Sequence, residues 1–223
     1  MHIPVKTVLF DLDGTLADTA PDLAASLNAV LEANGRSPLP FETIRPAVSH
    51  GGMALIRLGF GLEPAHPDFD PLRQQLLRQY AGHIAVHTRL FPGMEEVLEH
   101  IEQSGMNWGV VTNKPGWLTR PLLEALDLMQ RAACVVSGDT LAERKPDPAP
   151  MLHACELAGS HNTECVYIGD AERDILAGRQ AGMKTLVARF GYLGSEDRPE
   201  SWGADALVDT PQQIIDWLQA HPA

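Results

Sequence analysis

Five short runs rich in β-branched and aromatic residues punctuate the chain, at Val5–Phe10, Trp108–Val111, Cys134–Val136, Val166–Ile168 and Thr185–Ala188. After the first pair, each run is separated from the next by a segment with helical periodicity. Strands alternating with helices imply a parallel sheet wound on both faces, a Rossmann-like α/β core. The helices fall at Met94–Ser104, Leu118–Leu126, Ala149–Leu157 and Arg173–Ala181. Pro92-Gly93, Pro115-Gly116 and the prolines at 146 and 148 mark turns or helix starts, and Gly105 and Gly182 mark helix stops. Ala206–Val208 reads as a further strand and Pro211–Gln219 as a closing helix.

The interval from about Leu16 to Thr88 is far too long for an ordinary βα crossover. Its segments Asp22–Ala33, Phe41–Val48, Met53–Leu58 and Pro71–Ile84 are helical in pattern and nearly free of strand signal. The expected organisation is a small all-helical cap over residues 16–87, inserted into a core of residues 1–15 and 88–223. With 223 residues and 44% hydrophobic content, the chain can bury one full core and still build such an insert.

Seventeen basic against 29 acidic residues give a formal charge of -12, which argues against a nucleic-acid or anionic-membrane partner. An anionic substrate would need locally arranged positive charge. The opening stretch Met1–Phe10 lacks the basic start, apolar run and cleavage site of a signal peptide, and no later run approaches the roughly 20 apolar residues of a membrane span. A cytoplasmic protein, monomeric or homodimeric, is the expectation. Cys134, Cys155 and Cys165 are odd in number, have no C-x-x-C spacing and sit in apolar stretches, so they read as reduced core thiols.

The first strand runs into Phe10-Asp11-Leu12-Asp13-Gly14-Thr15, placing two carboxylates at the C-terminal edge of a parallel sheet, where open α/β folds bind ligands. Acids crowded beside an apolar strand cost stability unless a cation or hydrogen bonds neutralise them. Later strands bring Thr112-Asn113-Lys114 and Gly169-Asp170-Ala171-Glu172-Arg173-Asp174 to the same edge, and Lys145 stands before a proline-defined helix start. Each feature alone has an ordinary explanation: an incidental polar turn for the Asp pair, a helix N-cap for Thr112, a solvated charge for Lys145, an exposed helical acid for Asp174. Their joint occurrence, in order and at strand ends, points to a site.

These four motifs resemble those of the haloacid dehalogenase superfamily of phosphatases, over essentially the whole chain. The resemblance implies that Asp11 attacks a phosphoryl group to form an aspartyl-phosphate, and that Asp13 protonates the leaving alkoxide and later takes a proton from water. It further implies that Thr112 and the Asn113 backbone bind phosphoryl oxygens and that Lys145 offsets charge on nucleophile and substrate. Mg²⁺ would be held by Asp11, the Asp13 carbonyl and Asp170, with Asp174 reaching it through water or orienting Lys145. Ala171 stands where relatives often have Ser, removing a possible hydrogen bond. The phosphoglycolate-phosphatase-like branch carries a helical cap after the first motif, as expected here.

Substrate choice is expected to lie in the cap, where Asp18-Thr19, Ser49-His50-Gly51-Gly52 and Arg57 are the candidates. His50 also reads as a loop histidine without substrate contact, and Gly51-Gly52 as a tight turn. The first motif, cap and length resemble phosphoglycolate phosphatases. The stretches Val86–Met94, Trp108–Pro115, Arg189–Tyr192 and Trp202–Asp205 are similar to N-acetylmuramic acid 6-phosphate phosphatases. The substrate expected on either resemblance is a small phosphorylated metabolite. A dehalogenase, which needs neither Mg²⁺ nor Asp13, a sugar phosphomutase and an inactive binding module are the competing readings.

Overall fold

The computed structural model describes residues 4–221, so the outermost residues of the expected core segments 1–15 and 88–223 lie outside it. The first strand, β1 (Thr7–Phe10), is buried along its whole length. After it come a short pair, β2 (Ala17–Asp18) and β3 (Arg89–Leu90), and then β4 (Asn107–Val111), β5 (Cys134–Val136), β6 (Cys165–Gly169), β7 (Lys184–Ala188) and β8 (Ala206–Val208). Six of them form one sheet in the order β5-β4-β1-β6-β7-β8, every pairing parallel. Neighbours on both sides of β1 explain its continuous apolar run, since neither face nor edge meets water.

The period of two along the strands sorts side chains onto the two faces. Val8, Phe10, Val110, Val166 and Ile168 join one core cluster, whereas Leu9, Val111 and Tyr167 join another. The first face is covered by α5 (Met94–Gln103), α6 (Gly116–Ala125) and α9 (Gln212–Ala220), and the second by α7 (Ala149–Ala158) and α8 (Glu172–Gln180). Cys134, Cys155 and Cys165 are all free and buried in the second cluster.

Between β2 and β3 lie α1 (Ala20–Ala33), α2 (Phe41–Ile44) with a following 3₁₀ turn (Arg45–His50), α3 (Gly51–Phe60) and α4 (Phe69–Ala81). Helix α1 starts with Pro21 in its first turn and buries Leu23, Leu27, Val30 and Leu31, a single helical stripe. Helix α4 answers with Phe69, Leu76, Leu77 and Tyr80. The expected single helix Phe41–Val48 is instead a short α-helix and a 3₁₀ turn, because Pro46 lacks an N–H for an α-helical bond. The expected interhelical turn at Gly51-Gly52 is instead the first turn of α3.

Two features tie the ends of this helical segment together. Strand β2 pairs antiparallel with β3, Ala17 opposite Leu90 and Asp18 opposite Arg89. Below that ribbon, the buried Asp22 carboxylate accepts hydrogen bonds from His87 N–H (3.0 Å to either oxygen), Thr88 N–H (2.8 Å) and the Thr88 hydroxyl (2.7 Å). No helix among the described residues is long and apolar enough to cross a membrane.

Candidate active site

The loop leaving β1 closes on itself through Leu16 N–H to Asp11 C=O (3.2 Å), Ala17 N–H to Leu12 C=O (2.9 Å) and Gly14 N–H to Ala17 C=O (3.1 Å). Gly14 has φ +83°, and a Cβ there would overlap the Asp170 carboxylate, so only glycine lets the two loops meet. Asp11 is 3% exposed. Its Oδ1 accepts from Leu12 N–H at 2.7 Å and faces Lys145 Nζ at 3.0 Å, which fixes the carboxylate's orientation.

Lys145 Nζ also meets Asp174 Oδ1 at 2.7 Å and donates to Tyr167 Oη at 2.7 Å. The buried ammonium is thus hydrogen-bonded to one phenol and ion-paired with two carboxylates. The Asn113 side chain holds the Lys145 backbone from both sides, donating to its C=O at 3.0 Å and accepting from its N–H at 3.1 Å. Asp174 Oδ2 accepts from Ala171 N–H at 3.0 Å, so the backbone at 171 supports the motif without a serine hydroxyl. Although burial acts to raise the Asp174 carboxyl, Lys145 and Arg173 hold it below the usual range.

Asp11, Asp170 and Asp174 bring one oxygen each to within 4.8 Å of one another, all three buried. Burial pushes the Asp170 carboxyl up to about 7, with the charges of Asp174 and Asp11 adding to it. Burial likewise raises Asp11, and Lys145 opposes it. Hard oxygen donors crowded against their own charge are what a divalent cation relieves, so this set fits Mg²⁺-type coordination.

Above Asp11 opens a cleft of about 280 Å³ between the sheet edge and the helical segment. Asp11, Asp13, Thr112, Asn113, His50, Gly51 and Gly52 all line it, while Lys145, Asp170 and Asp174 are buried beside Asp11. Asp13 Oδ1 accepts from the Thr19 hydroxyl at 2.6 Å and from Lys114 Nζ at 2.9 Å. Thr112 is not a helix cap: its hydroxyl accepts from Lys114 N–H at 3.2 Å, within the loop after β4. Partial burial, and then the Arg173 charge, hold His50 below the usual histidine range.

Two expected cap contributors fall elsewhere. Arg57 points away and pairs with Glu63 at 2.9 Å on the exposed side of α3, because its helical position lies opposite the buried Leu55–Ile56 face. Asp18 accepts from the Tyr192 hydroxyl at 2.7 Å and anchors the entry to α1. Ser49, by contrast, reaches the site: its hydroxyl donates to Asp170 Oδ2, which also accepts Tyr192 N–H at 2.9 Å.

Sequence reasoning gives no role to three residues that the fold brings here. Arg173 Nη2 donates to the Ser49 carbonyl at 2.7 Å and lies 3.8 Å from Asp11 Oδ2; its signal is a basic residue inside an acidic motif. Lys114, directly after Thr112-Asn113, and Tyr80, the last buried position of α4, complete the cleft wall.

The chain matches the family model for haloacid dehalogenase-like hydrolases over residues 8–188. It is 44% identical to N-acetylmuramic acid 6-phosphate phosphatase of Pseudomonas aeruginosa, covering 96% of this chain and 95% of that one. It is 45% identical to phosphoglycolate phosphatase of Xanthomonas campestris, covering 96% of each. The crystal structure of a predicted phosphoglycolate phosphatase from Haemophilus somnus superimposes with a TM-score of 0.85 at 27% identity, covering 96% of this chain and 97% of that one. The chain thus matches phosphatases along nearly its full length, and it belongs to the haloacid dehalogenase-like hydrolase family as one of its phosphatases.

Proposed function

We propose that the chain hydrolyses a small phosphate monoester through an aspartyl-phosphate on Asp11, with 2-phosphoglycolate as the preferred substrate. The observation that carries this reading is the buried Asp11–Lys145–Asp174 arrangement at the floor of a 280 Å³ cleft. Asp11 attacks phosphorus, the P–O ester bond breaks, and Asp13 gives its proton to the departing alkoxide. Water then attacks phosphorus, its proton passes to Asp13, and inorganic phosphate leaves as Asp11 is restored. Thr112 and the Asn113 backbone bind phosphoryl oxygens, and Lys145 offsets the charge gathering between Asp11 and the phosphoryl group.

Asp11, the Asp13 carbonyl and Asp170 would hold Mg²⁺, and Asp174 positions Lys145. When bound, the metal supplies two positive charges to the phosphoryl oxygens in a protein of net charge -12. His50, Gly51 and Gly52 close the cleft on the insert side and exclude water, the role of a cap over residues 16–87. Three free, buried cysteines support a reducing cytoplasmic setting, with the chain acting as a monomer or homodimer.

The 44% identical Pseudomonas relative supports a second reading, N-acetylmuramic acid 6-phosphate as substrate. The deciding experiment measures kcat/KM for both esters with Mg²⁺ and after EDTA. A preference of about 10²-fold, or ~2.7 kcal/mol, for 2-phosphoglycolate that vanishes with EDTA supports the first reading. The reverse preference selects the second, and turnover that resists EDTA refutes the metal site.

A further inference from the structure

Two donors stand together in the cleft without a part in the chemistry above. Lys114, after β4, has a side chain only 6% exposed, and its Nζ donates to Asp13 Oδ1 at 2.9 Å. The same Nζ lies 4.5 Å from the centre of the Tyr80 ring, which comes from α4 in the helical insert. Tyr80 is buried, and its hydroxyl makes no hydrogen bond of good geometry among the described residues, although the Lys114 ammonium lies beside it. A buried hydroxyl without an acceptor is disfavoured and calls for an explanation, and a ligand oxygen is one. Lys114 has three N–H donors, of which Asp13 takes one and the ring face another direction.

We propose that Lys114 and Tyr80 form a subsite for a substrate carboxylate carried on the ester-bearing carbon. The subsite rests on the phosphatase reading, in which Asp13 serves the leaving oxygen. Lys114 Nζ is one hydrogen bond from Asp13, so whatever it binds must lie close to that oxygen. A carboxylate attached to the ester-bearing carbon spans that short interval, whereas a carboxylate across a sugar ring does not. Its two oxygens accept from the ammonium and the phenol together. Burial pushes the Tyr80 phenol up to about 12, so it remains an O–H donor at neutral pH. Burial works against the Lys114 charge, but Asp13 holds the ammonium above the ordinary lysine range. Arg73, Arg144 and Arg173 line the same cleft and add to its attraction for a substrate with a second negative group.

The test compares kcat/KM, with Mg²⁺ present, for 2-phosphoglycolate and 2-hydroxyethyl phosphate, which keeps the ester and lacks the carboxylate. The wild type is expected to prefer 2-phosphoglycolate by about 10²-fold, because a site built for a charged group rejects the analogue without it. Lys114→Met should bring that ratio to about one, chiefly by raising KM for 2-phosphoglycolate. Tyr80→Phe removes a single hydroxyl and should lower the ratio about tenfold, with an unchanged urea midpoint to check that it folds as the wild type does. A ratio that neither variant moves overturns the subsite, as does a wild type that turns over both esters equally. A wild type inert toward both esters and toward p-nitrophenyl phosphate overturns the phosphatase reading itself, and the subsite with it.

Discussion

Tyr167 Oη accepts a hydrogen bond from Lys145 Nζ at 2.7 Å and donates its own to the Val111 carbonyl, also at 2.7 Å. The phenol thereby ties the ammonium beside Asp11 to the backbone of β4. Burial raises the phenol well above its usual range, so it remains protonated at neutral pH. Tyr167→Phe should lower kcat about tenfold with little change in KM, and cost about 1–2 kcal/mol of stability. Steady-state kinetics and urea unfolding read the two effects separately. Unchanged kcat would mean that Asp11 and Asp174 alone position the ammonium.

Asp170 carries a pH signature. Its carboxyl stands near 7 in the folded chain against an ordinary 3.8, so between those values the folded state binds more protons than the unfolded one. The linked stability is therefore full below about pH 4 and is lost as pH rises through 7. After exhaustive chelation, thermal unfolding should occur at lower temperature at pH 8 than at pH 6. Added Mg²⁺ should restore more at pH 8, where Asp170 is ionised. Asp170→Asn should reduce the pH difference, leaving the part that the raised Asp11 carboxyl contributes, and weaken the Mg²⁺ response with it.

Asp22 uses both oxygens to hold the backbone of His87 and Thr88. Asp22→Ala should cost about 2–3 kcal/mol, because it leaves the buried N–H and hydroxyl of Thr88 and the part-buried N–H of His87 without an acceptor. Urea unfolding with intact m-value would register it. A loss below about 0.5 kcal/mol would show that water replaces the carboxylate.

Arg173 joins Ser49 of the insert to the neighbourhood of Asp11. Arg173→Ala should reduce kcat/KM by about 10²-fold, since it removes both a cation near the phosphoryl site and the tie to Ser49. Arg173→Lys should recover only part, because a point charge cannot reproduce the planar fork. Equal activity of Arg173→Lys and the wild type would show that charge alone matters.

The core was legible because its signals are local and repeated. Cys134–Val136 and Ala206–Val208 match their strands residue for residue, and the other strands differ at their ends by one or two positions. The four motifs converge because parallel strands place their C-terminal ends on one edge, a consequence of topology that needs no side-chain detail. What escaped the reading depends on contacts between distant segments. The β2–β3 ribbon has two residues per strand and no periodicity to detect. Tyr80 reads as one more apolar position of α4, and nothing in its spacing reveals that it faces Lys114, 34 positions further along. Arg57 misled for the opposite reason: a basic residue in the insert is chemically suitable, yet the helix phase turned it outward toward Glu63.

The ribbon that sets Ala17 against Leu90 means the chain leaves the sheet layer and returns to it at adjacent points. Everything between those points is carried on a two-stranded stem, and it meets the core again through Ser49, which reaches Asp170 and Arg173. The stem fixes where the segment leaves and rejoins the core, while Asp11, Lys145 and Asp174 are held to one another by contacts within the core itself. A change in the helices therefore reaches the acids through the side chains that cross between the two parts, Ser49 and Tyr80 among them.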